Sequence, residues 1–278
     1  EYQRRIYDFI EKKYMDAMMG EGEPDLSSKF KAALAQARMI RLMQAASDPA
    51  MLRTPLFEFM EDDECPAEAY QAIDDADVLK SIMEYEAIET PSKYLAVERL
   101  VNQITKDGGK VVIWATFIHT IHGIKEYLES KGIRCQELYG AIPVEKEGAA
   151  DDSEEQILTR EKIVRAFQDE DCPFKVIIAN PFAVAESISL HKACHNAIYL
   201  ERSFNAAHFV QSKDRIHRYG LKAGTKTNYY YILSEDSIDE TIDIRLAEKE
   251  QRMTEIMESM PIPLFNNVSD DLGNEDIK

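Results

Sequence analysis

The sequence has few cysteines and no long apolar run, and both absences exclude classes of protein. Its 278 residues include four cysteines, which are widely spaced and form no C-x-x-C pair. We therefore predict free thiols in a reducing compartment, with no disulfide framework and no zinc site. The longest strongly apolar stretch, residues 111–118, is too short to span a bilayer. With no signal-peptide pattern either, we expect a cytoplasmic protein without a membrane partner, associated with the nucleoid if its source is bacterial.

Positive charge is also scarce. The chain has 33 Lys and Arg residues against 51 Asp and Glu residues, a net charge of −18. A nucleic-acid-binding surface needs Lys and Arg to contact phosphates, so this balance does not favour one. Much of the acid lies in three runs, 58–77, 145–155 and 269–275, which are typical of solvated loops or tails. We expect the remaining Lys and Arg side chains to lie on one face of the lobe.

Two motifs of self-sufficient ATPases are missing. The sequence has no G-x-x-x-x-G-K-[ST] loop and no Asp-Glu-x-His motif. In P-loop enzymes that loop holds the β- and γ-phosphates, and the acid helps to hold Mg²⁺. The chain alone is therefore predicted to be inactive as an ATP hydrolase. It begins at Glu1, without Met, and we expect it to be a fragment of a longer protein.

Hydrophobic spacing divides the chain into four regions. Residues 1–90 have helical periodicity broken by prolines, 91–235 alternate between strand and helix patterns, 236–260 form a long amphipathic helix, and 261–278 form a flexible acidic tail. We predict strands at 111–117, 133–139, 174–179, 196–201 and 227–233, with helices at 118–131, 157–168, 183–191 and 205–219. Apolar strands joined by helices predict an α/β fold, a parallel sheet with helices on both faces.

Residues 211–220, Gln-Ser-Lys-Asp-Arg-Ile-His-Arg-Tyr-Gly, form the most informative stretch. Arg215 and Arg218 are three apart, so on a helix both guanidiniums can point into one cleft. Guanidinium matches phosphate oxygens, and an arginine finger can contribute about 10³ to 10⁵ in rate during phosphoryl transfer. The alternative is a surface helix on which these residues form solvated ion pairs with Asp214.

This stretch resembles the last helicase motif of the Swi/Snf-type ATPases, a branch of the superfamily 2 motors. Other segments resemble elements of that family in the family's order, namely 41–52, 111–117, 138–140, 160–167 and 197–205. Together they cover about residues 30–245. The resemblance implies the C-terminal, second RecA-like lobe, with 1–90 as the helical protrusion and 236–260 as a helix that braces the two lobes.

The resemblance also implies partners and roles. ATP and Mg²⁺ would be held mainly by a first RecA-like lobe that precedes Glu1, and nucleic acid, as double-stranded DNA, would run across both lobes. Arg215 and Arg218 would act across the cleft between the lobes, and Gln211 would orient water or contact the nucleotide. DNA translocation is the favoured activity.

One loop departs from the family pattern. Residues 183–190, Ala-Val-Ala-Glu-Ser-Ile-Ser-Leu, replace its Gly-rich loop, and Leu221 replaces a Gln. This divergence indicates a distant branch, which we expect to be prokaryotic. We predict nucleotide-binding roles for Glu186, Ser187, Ser189 and Asp214. Glu186 could instead contact a partner or belong to a polar cap.

Six residues at predicted strand ends and loops are candidate nucleic-acid contacts: Thr116, Phe117, His119, Gly140, Asn180 and Lys192. Thr116 and Asn180 could equally bind backbone groups at strand ends, and Lys192 could be plain surface. His191 and His195, with Cys194, have metal-ligand spacing, but no third ligand of matching spacing is near and we predict a structural role.

Two functional alternatives stay open. One is an unwinding DNA or RNA helicase of another superfamily 2 branch. The other is a non-catalytic α/β interaction module that kept the fold and lost the motor.

Overall fold

The structure is a computed structural model that describes residues 1–19, 28–53, 75–144, 159–184, 188–218, 221 and 224–259. Before residue 91 the described residues form four α-helices, α1 (Tyr2–Met19), α2 (Ser28–Ser47), α3 (Ala76–Met83) and α4 (Tyr85–Ile88), with a 3-10 helix, Pro49–Arg53, after α2. None of the described helices is long and apolar enough to cross a membrane.

Strands and helices then alternate as the periodicity predicts. The order is α5 (Ser92–Lys106), β1 (Val111–Trp114), α6 (Ile118–Ser130), β2 (Cys135–Leu138), α7 (Arg160–Gln168), β3 (Val176–Ala179), α8 (Pro181–Val184), β4 (Asn196–Tyr199), α9 (Ala206–Lys213), β5 (Asn228–Tyr231) and α10 (Ile238–Ser259).

The five strands form one parallel sheet in the order β2-β3-β1-β4-β5. In β1 every residue is buried, because helices cover both faces of the sheet. Val112 and Trp114 face the core built with α7, α9 and α10, whereas Val111 and Ile113 face the core built with α5 and α6. The predicted RecA-like α/β fold, with helices at both ends, is confirmed.

The helical region packs on the same sheet. Ile6 and Tyr7 of α1, Leu42 of α2 and Val78 and Ile82 of α3 form a third core cluster. Met43 and Met51, from α2 and the 3-10 helix, belong instead to the core on the α10 face of the sheet. The end of α2 therefore joins the two regions that the sequence analysis separated.

Two helix predictions need correction. The helix predicted at 205–219 ends at Lys213, where Asp214 provides the cap and the chain turns. Of the helix predicted at 183–191, the described residues include Val184 at the end of a helix, Pro181–Val184, whereas residues 188–190 have no regular structure. Residues 185–187 lie outside the described residues.

Candidate nucleotide and nucleic-acid sites

The carboxyl ends of β1 and β4 are joined by a buried carboxylate. β1 lies between β3 and β4, so the chain direction across the sheet changes at the β1–β4 pair, the place where open α/β sheets bind ligands. Glu201 is 4% exposed, and its Oε2 accepts hydrogen bonds from the backbone N–H groups of Thr116 (2.8 Å) and Phe117 (2.9 Å). Its Oε1 accepts from the Thr120 hydroxyl at 2.6 Å. The crevice is thus closed by a side chain of the protein itself.

Burial raises the pKa of Glu201 above its ordinary value, while the donors Thr120 and Phe117 and the Lys93 ammonium act in the opposite direction. The three donors can all be accommodated by the ionised carboxylate, which has two acceptor oxygens. Glu201 therefore fixes the backbone that follows β1.

Thr116 and Asn180 bind each other at this carboxyl edge. The Asn180 side-chain amide donates to the Thr116 carbonyl at 2.8 Å, and its Oδ1 accepts from the Phe182 N–H at 2.8 Å. The Thr116 hydroxyl is buried and has no hydrogen-bond partner among the described residues. For Asn180 these contacts fit the alternative in which its side chain binds backbone groups at strand ends, whereas Thr116 takes part through its backbone carbonyl.

The other predicted contacts of this edge have different exposures. Phe117 is buried, with 8% of its surface exposed, and directly precedes α6, whereas Gly140 is exposed and its carbonyl accepts from Arg160 at 2.7 Å. The His119 side chain is 39% exposed and its Nε2 lies 3.4 Å from Asp48 Oδ2. His119 is thus the most accessible of the predicted side chains at the carboxyl edge.

The hydrogen bond to Asp48 raises the pKa of His119, and partial burial opposes this shift. A histidine pKa that is higher in the folded state means that the protonated form stabilises the fold. That stabilisation is complete below the ordinary value of about 6.5 and is lost as the pH rises through the folded pKa.

We expect His119→Gln to lower the free energy of unfolding by about 0.5 kcal/mol at pH 5.5, a small value because solvent screens this partly exposed pair. The difference from wild type should shrink toward zero as the pH rises to 8.5. Urea unfolding of both proteins at several pH values checks this, and a difference that grows with pH would contradict it.

The second candidate group is the arginine turn, residues 214–218, which follows α9. Arg215 is 8% exposed; its Nη1 donates to the Ile188 carbonyl at 3.3 Å, and its carbonyl accepts from the Leu190 N–H at 2.9 Å. Arg218 is exposed. The two arginines therefore do not share one helical face: the first fastens the loop at 188–195 and the second faces solvent.

Ser189 lies in the same loop, and the side chain of its partner His191 is close enough to Arg218 to be affected by its charge. Its hydroxyl is 2.8 Å from His191 Nδ1, and its carbonyl accepts from Gln168 at 3.0 Å. Partial burial lowers the pKa of His191, and the positive charges of Arg218 and Lys192 lower it further. The loop and the arginine turn thus form one polar surface that carries hydroxyl, imidazole and guanidinium donors.

The remaining predicted nucleotide contacts differ in exposure, and two of them are not described. Gln211 is half-buried on α9, and Asp214 is exposed at the cap of that helix. Glu186 and Ser187 lie outside the described residues.

Lys192 lies at the opposite edge of the sheet from the other predicted nucleic-acid contacts. It precedes β4 and lines a polar pocket of about 430 Å³ with Gly109, Lys110, Gln168 and His195, at the amino ends of the strands. A residue that precedes a parallel strand must lie at its amino end, so its position in the sequence contained this information. Lys192 neighbours the arginine turn and not Thr116 or Asn180.

Arg202 is a structural residue that the sequence analysis did not single out. Its guanidinium is buried, lies 4.6 Å from the centre of the Tyr231 ring, and is 2.6 Å from Asp243 of α10. A second pair, Lys213 and Glu250, joins the end of α9 to α10 at 2.5 Å. These pairs fix α10 against the sheet, beside the turn that carries Arg218.

Across the part of the chain that the structure describes, no three His, Cys, Asp or Glu side chains are grouped so that they could hold a metal ion.

Comparison with known proteins bears on the family and the fold of the chain. Residues 92–220 match the family described as the helicase conserved C-terminal domain. The fold is similar to the crystal structure of the C-terminal part of the Fun30 ATPase domain, with a TM-score of 0.58 and 19% sequence identity, over 88% of this chain and 85% of that one. The family match agrees with the resemblance to the C-terminal lobe of a helicase-like motor, and at 19% identity the structural likeness shows the fold alone.

Proposed function

We propose, on the premise that residues 92–220 carry a helicase conserved C-terminal domain, that the chain is the second motor lobe of an ATP-driven nucleic-acid translocase. Its substrate would be double-stranded DNA, and its first lobe would supply the phosphate loop that this sequence lacks. The observation that carries the proposal is the packing of the arginine turn against the loop at 188–195, which leaves Arg218 exposed beside Ser189 and His191.

This surface suits a triphosphate that is held by another domain. ATP bound with Mg²⁺ supplies the phosphoryl group whose transfer to water releases the free energy for motion. Arg218 would present its planar fork of donors to the phosphate oxygens when the lobes close. Arg215 would act indirectly, because its guanidinium is committed to the Ile188 carbonyl. Gln211, half-buried on α9, would approach the same cleft from the preceding turn.

Nucleic acid would contact the other edge of the sheet. His119 and Gly140 are accessible there, and Glu201 holds the amides of Thr116 and Phe117 in place. A lobe with the nucleotide surface and the nucleic-acid surface on opposite sides can convert closing and opening of the cleft into movement along the strand. Lys192 would then belong to the nucleotide side.

The decisive experiment measures ATP hydrolysis by the full-length protein alone, with duplex DNA, with single-stranded DNA and with RNA. The proposal expects hydrolysis that duplex DNA stimulates most, and no hydrolysis by residues 1–278 alone. Stimulation by RNA or single strands, together with strand displacement, would favour an unwinding helicase instead. Activity that ignores every nucleic acid would leave the non-catalytic interaction module as the better account.

A further inference from the structure

A buried lysine lies where four separate stretches of the chain meet. Lys93, in the first turn of α5, is 2% exposed, and its Nζ is 2.6 Å from Asp239 Oδ2 in the first turn of α10. The same ammonium donates to the Leu200 carbonyl at 3.3 Å, directly after β4, and to the Ser47 hydroxyl at 3.4 Å, at the end of α2. The helical region, the sheet and α10 thus share one cation.

The next residue in the chain extends these contacts to the carboxyl edge. Leu200 precedes Glu201, whose carboxylate accepts from Thr116 and Phe117. The charge of Lys93 favours the ionised form of Glu201, and Ser47 donates to the same carboxylate. Moving the Lys93 ammonium would therefore affect the backbone after β1 in two ways. It would displace Leu200, which precedes Glu201, and it would change how strongly Glu201 is held in its ionised form.

A buried lysine adds little stability compared with an apolar side chain, so its contribution here lies in the geometry that it fixes. Burying an ammonium and a carboxylate removes hydration from both, and a well-packed apolar pair of similar volume is often at least as stable. The three partners of Lys93 come from elements that are distant in sequence, and each lies at a terminus: the end of α2, the end of β4 and the start of α10. This arrangement specifies geometry at the carboxyl edge more than it adds stability.

We propose that Lys93 is a positioning residue, which sets the backbone at Thr116 and Phe117 for contact with nucleic acid and ties it to the helical region and α10. This inference rests on the proposed function for its nucleic-acid role. We expect loss of the Lys93 contacts to weaken the affinity for nucleic acid and to leave the rate of ATP hydrolysis at the arginine turn unchanged.

The test compares variants of the full-length protein. Lys93→Met alone leaves the buried Asp239 carboxylate without its positive partner and with the Ser234 N–H at 2.9 Å as a remaining donor. We expect the Tm of this variant to fall by about 10 °C. The double variant Lys93→Met/Asp239→Asn removes both charges and should recover most of that loss. Lys106→Met, an exposed lysine at the other end of α5, is the matched control.

Two readouts separate positioning from stability in the double variant. The amides of Thr116 and Phe117 should exchange with solvent about tenfold faster than in wild type. The nucleic-acid concentration for half-maximal stimulation of ATP hydrolysis should rise about tenfold, with kcat at saturation unchanged. Glu201→Gln should reproduce both effects, because it weakens the same amide acceptor and leaves the Lys93–Asp239 pair intact.

Recovery of the Tm together with wild-type exchange and wild-type stimulation would overturn the proposal and leave Lys93 as a stabilising pair only. If the wild-type protein hydrolyses no ATP, the proposed function fails, while exchange at Thr116 and Phe117 still decides whether Lys93 positions them.

Discussion

Replacing Arg218 by alanine in the full-length protein is expected to lower kcat for nucleic-acid-stimulated ATP hydrolysis about 10³-fold. An arginine that neutralises charge developing on a transferring phosphoryl group contributes about 10³ to 10⁵ in rate. Because Arg218 is exposed in the turn after α9, its removal should leave the fold intact. Arg218→Lys should recover only part of the rate, since an ammonium keeps the charge but loses the planar fork.

Two comparisons make this result specific. Arg245→Ala removes an exposed arginine of α10 that pairs with Glu248 at 2.9 Å, and it should leave kcat unchanged. Arg215→Ala should lower both kcat and Tm, because the loop at 188–195 loses the guanidinium that fastens it. Steady-state kinetics with saturating duplex DNA measure all three. An Arg218→Ala protein that hydrolyses ATP at the wild-type rate would remove the arginine-finger role from this turn.

The largest effect on stability is expected at Trp114, the one tryptophan of the sequence. It is fully buried in β1, the middle strand of the sheet, and packs in the core that α7, α9 and α10 share. Truncating a buried tryptophan to alanine removes its transfer free energy and leaves a cavity, so Trp114→Ala should cost about 3 to 5 kcal/mol of unfolding free energy. Urea unfolding followed by far-ultraviolet circular dichroism measures this directly.

A second substitution at this position refines the prediction. The Trp114 indole N–H is buried and has no hydrogen-bond partner among the described residues. Trp114→Phe removes that unsatisfied donor as well as some volume, so its cost should be clearly smaller than that of Trp114→Ala. Ile244→Ala, at a side chain that is 59% exposed, is the control and should change stability by less than about 0.5 kcal/mol. A cost for Trp114→Ala as small as that of the control would contradict the core described above.

The strands could be predicted from the sequence because their signal is local. Runs such as Val111–Trp114 and Val176–Ala179 are apolar at every position, as a strand buried on both faces requires. Even β5, with its exposed and half-buried tyrosines, was located by β-favouring residues. The bounds of α10, Ile238–Ser259, are also close to the predicted 236–260. Its capping serines and its apolar spacing are both local features of the sequence.

The end of α9 could not be predicted in the same way. Residues 214–218 continue the helical spacing, but in the structure the chain turns and Arg215 enters the interior to donate to Ile188. That contact joins a loop that precedes β4 in the sequence to a turn that follows it. Periodicity within one segment contains no information about such a partner.

By itself the sequence determined the parallel α/β fold, the helices at both ends, and the segment that carries Arg215 and Arg218. Each of these depends on residues that are neighbours in the chain. Only the tertiary structure decided which arginine is buried, and that Lys93, Glu201 and Asp239 lie together in the interior. The physical reason is that a buried charge is tolerated only with a partner of opposite charge or with hydrogen-bond partners, and those partners come from distant segments that folding brings together.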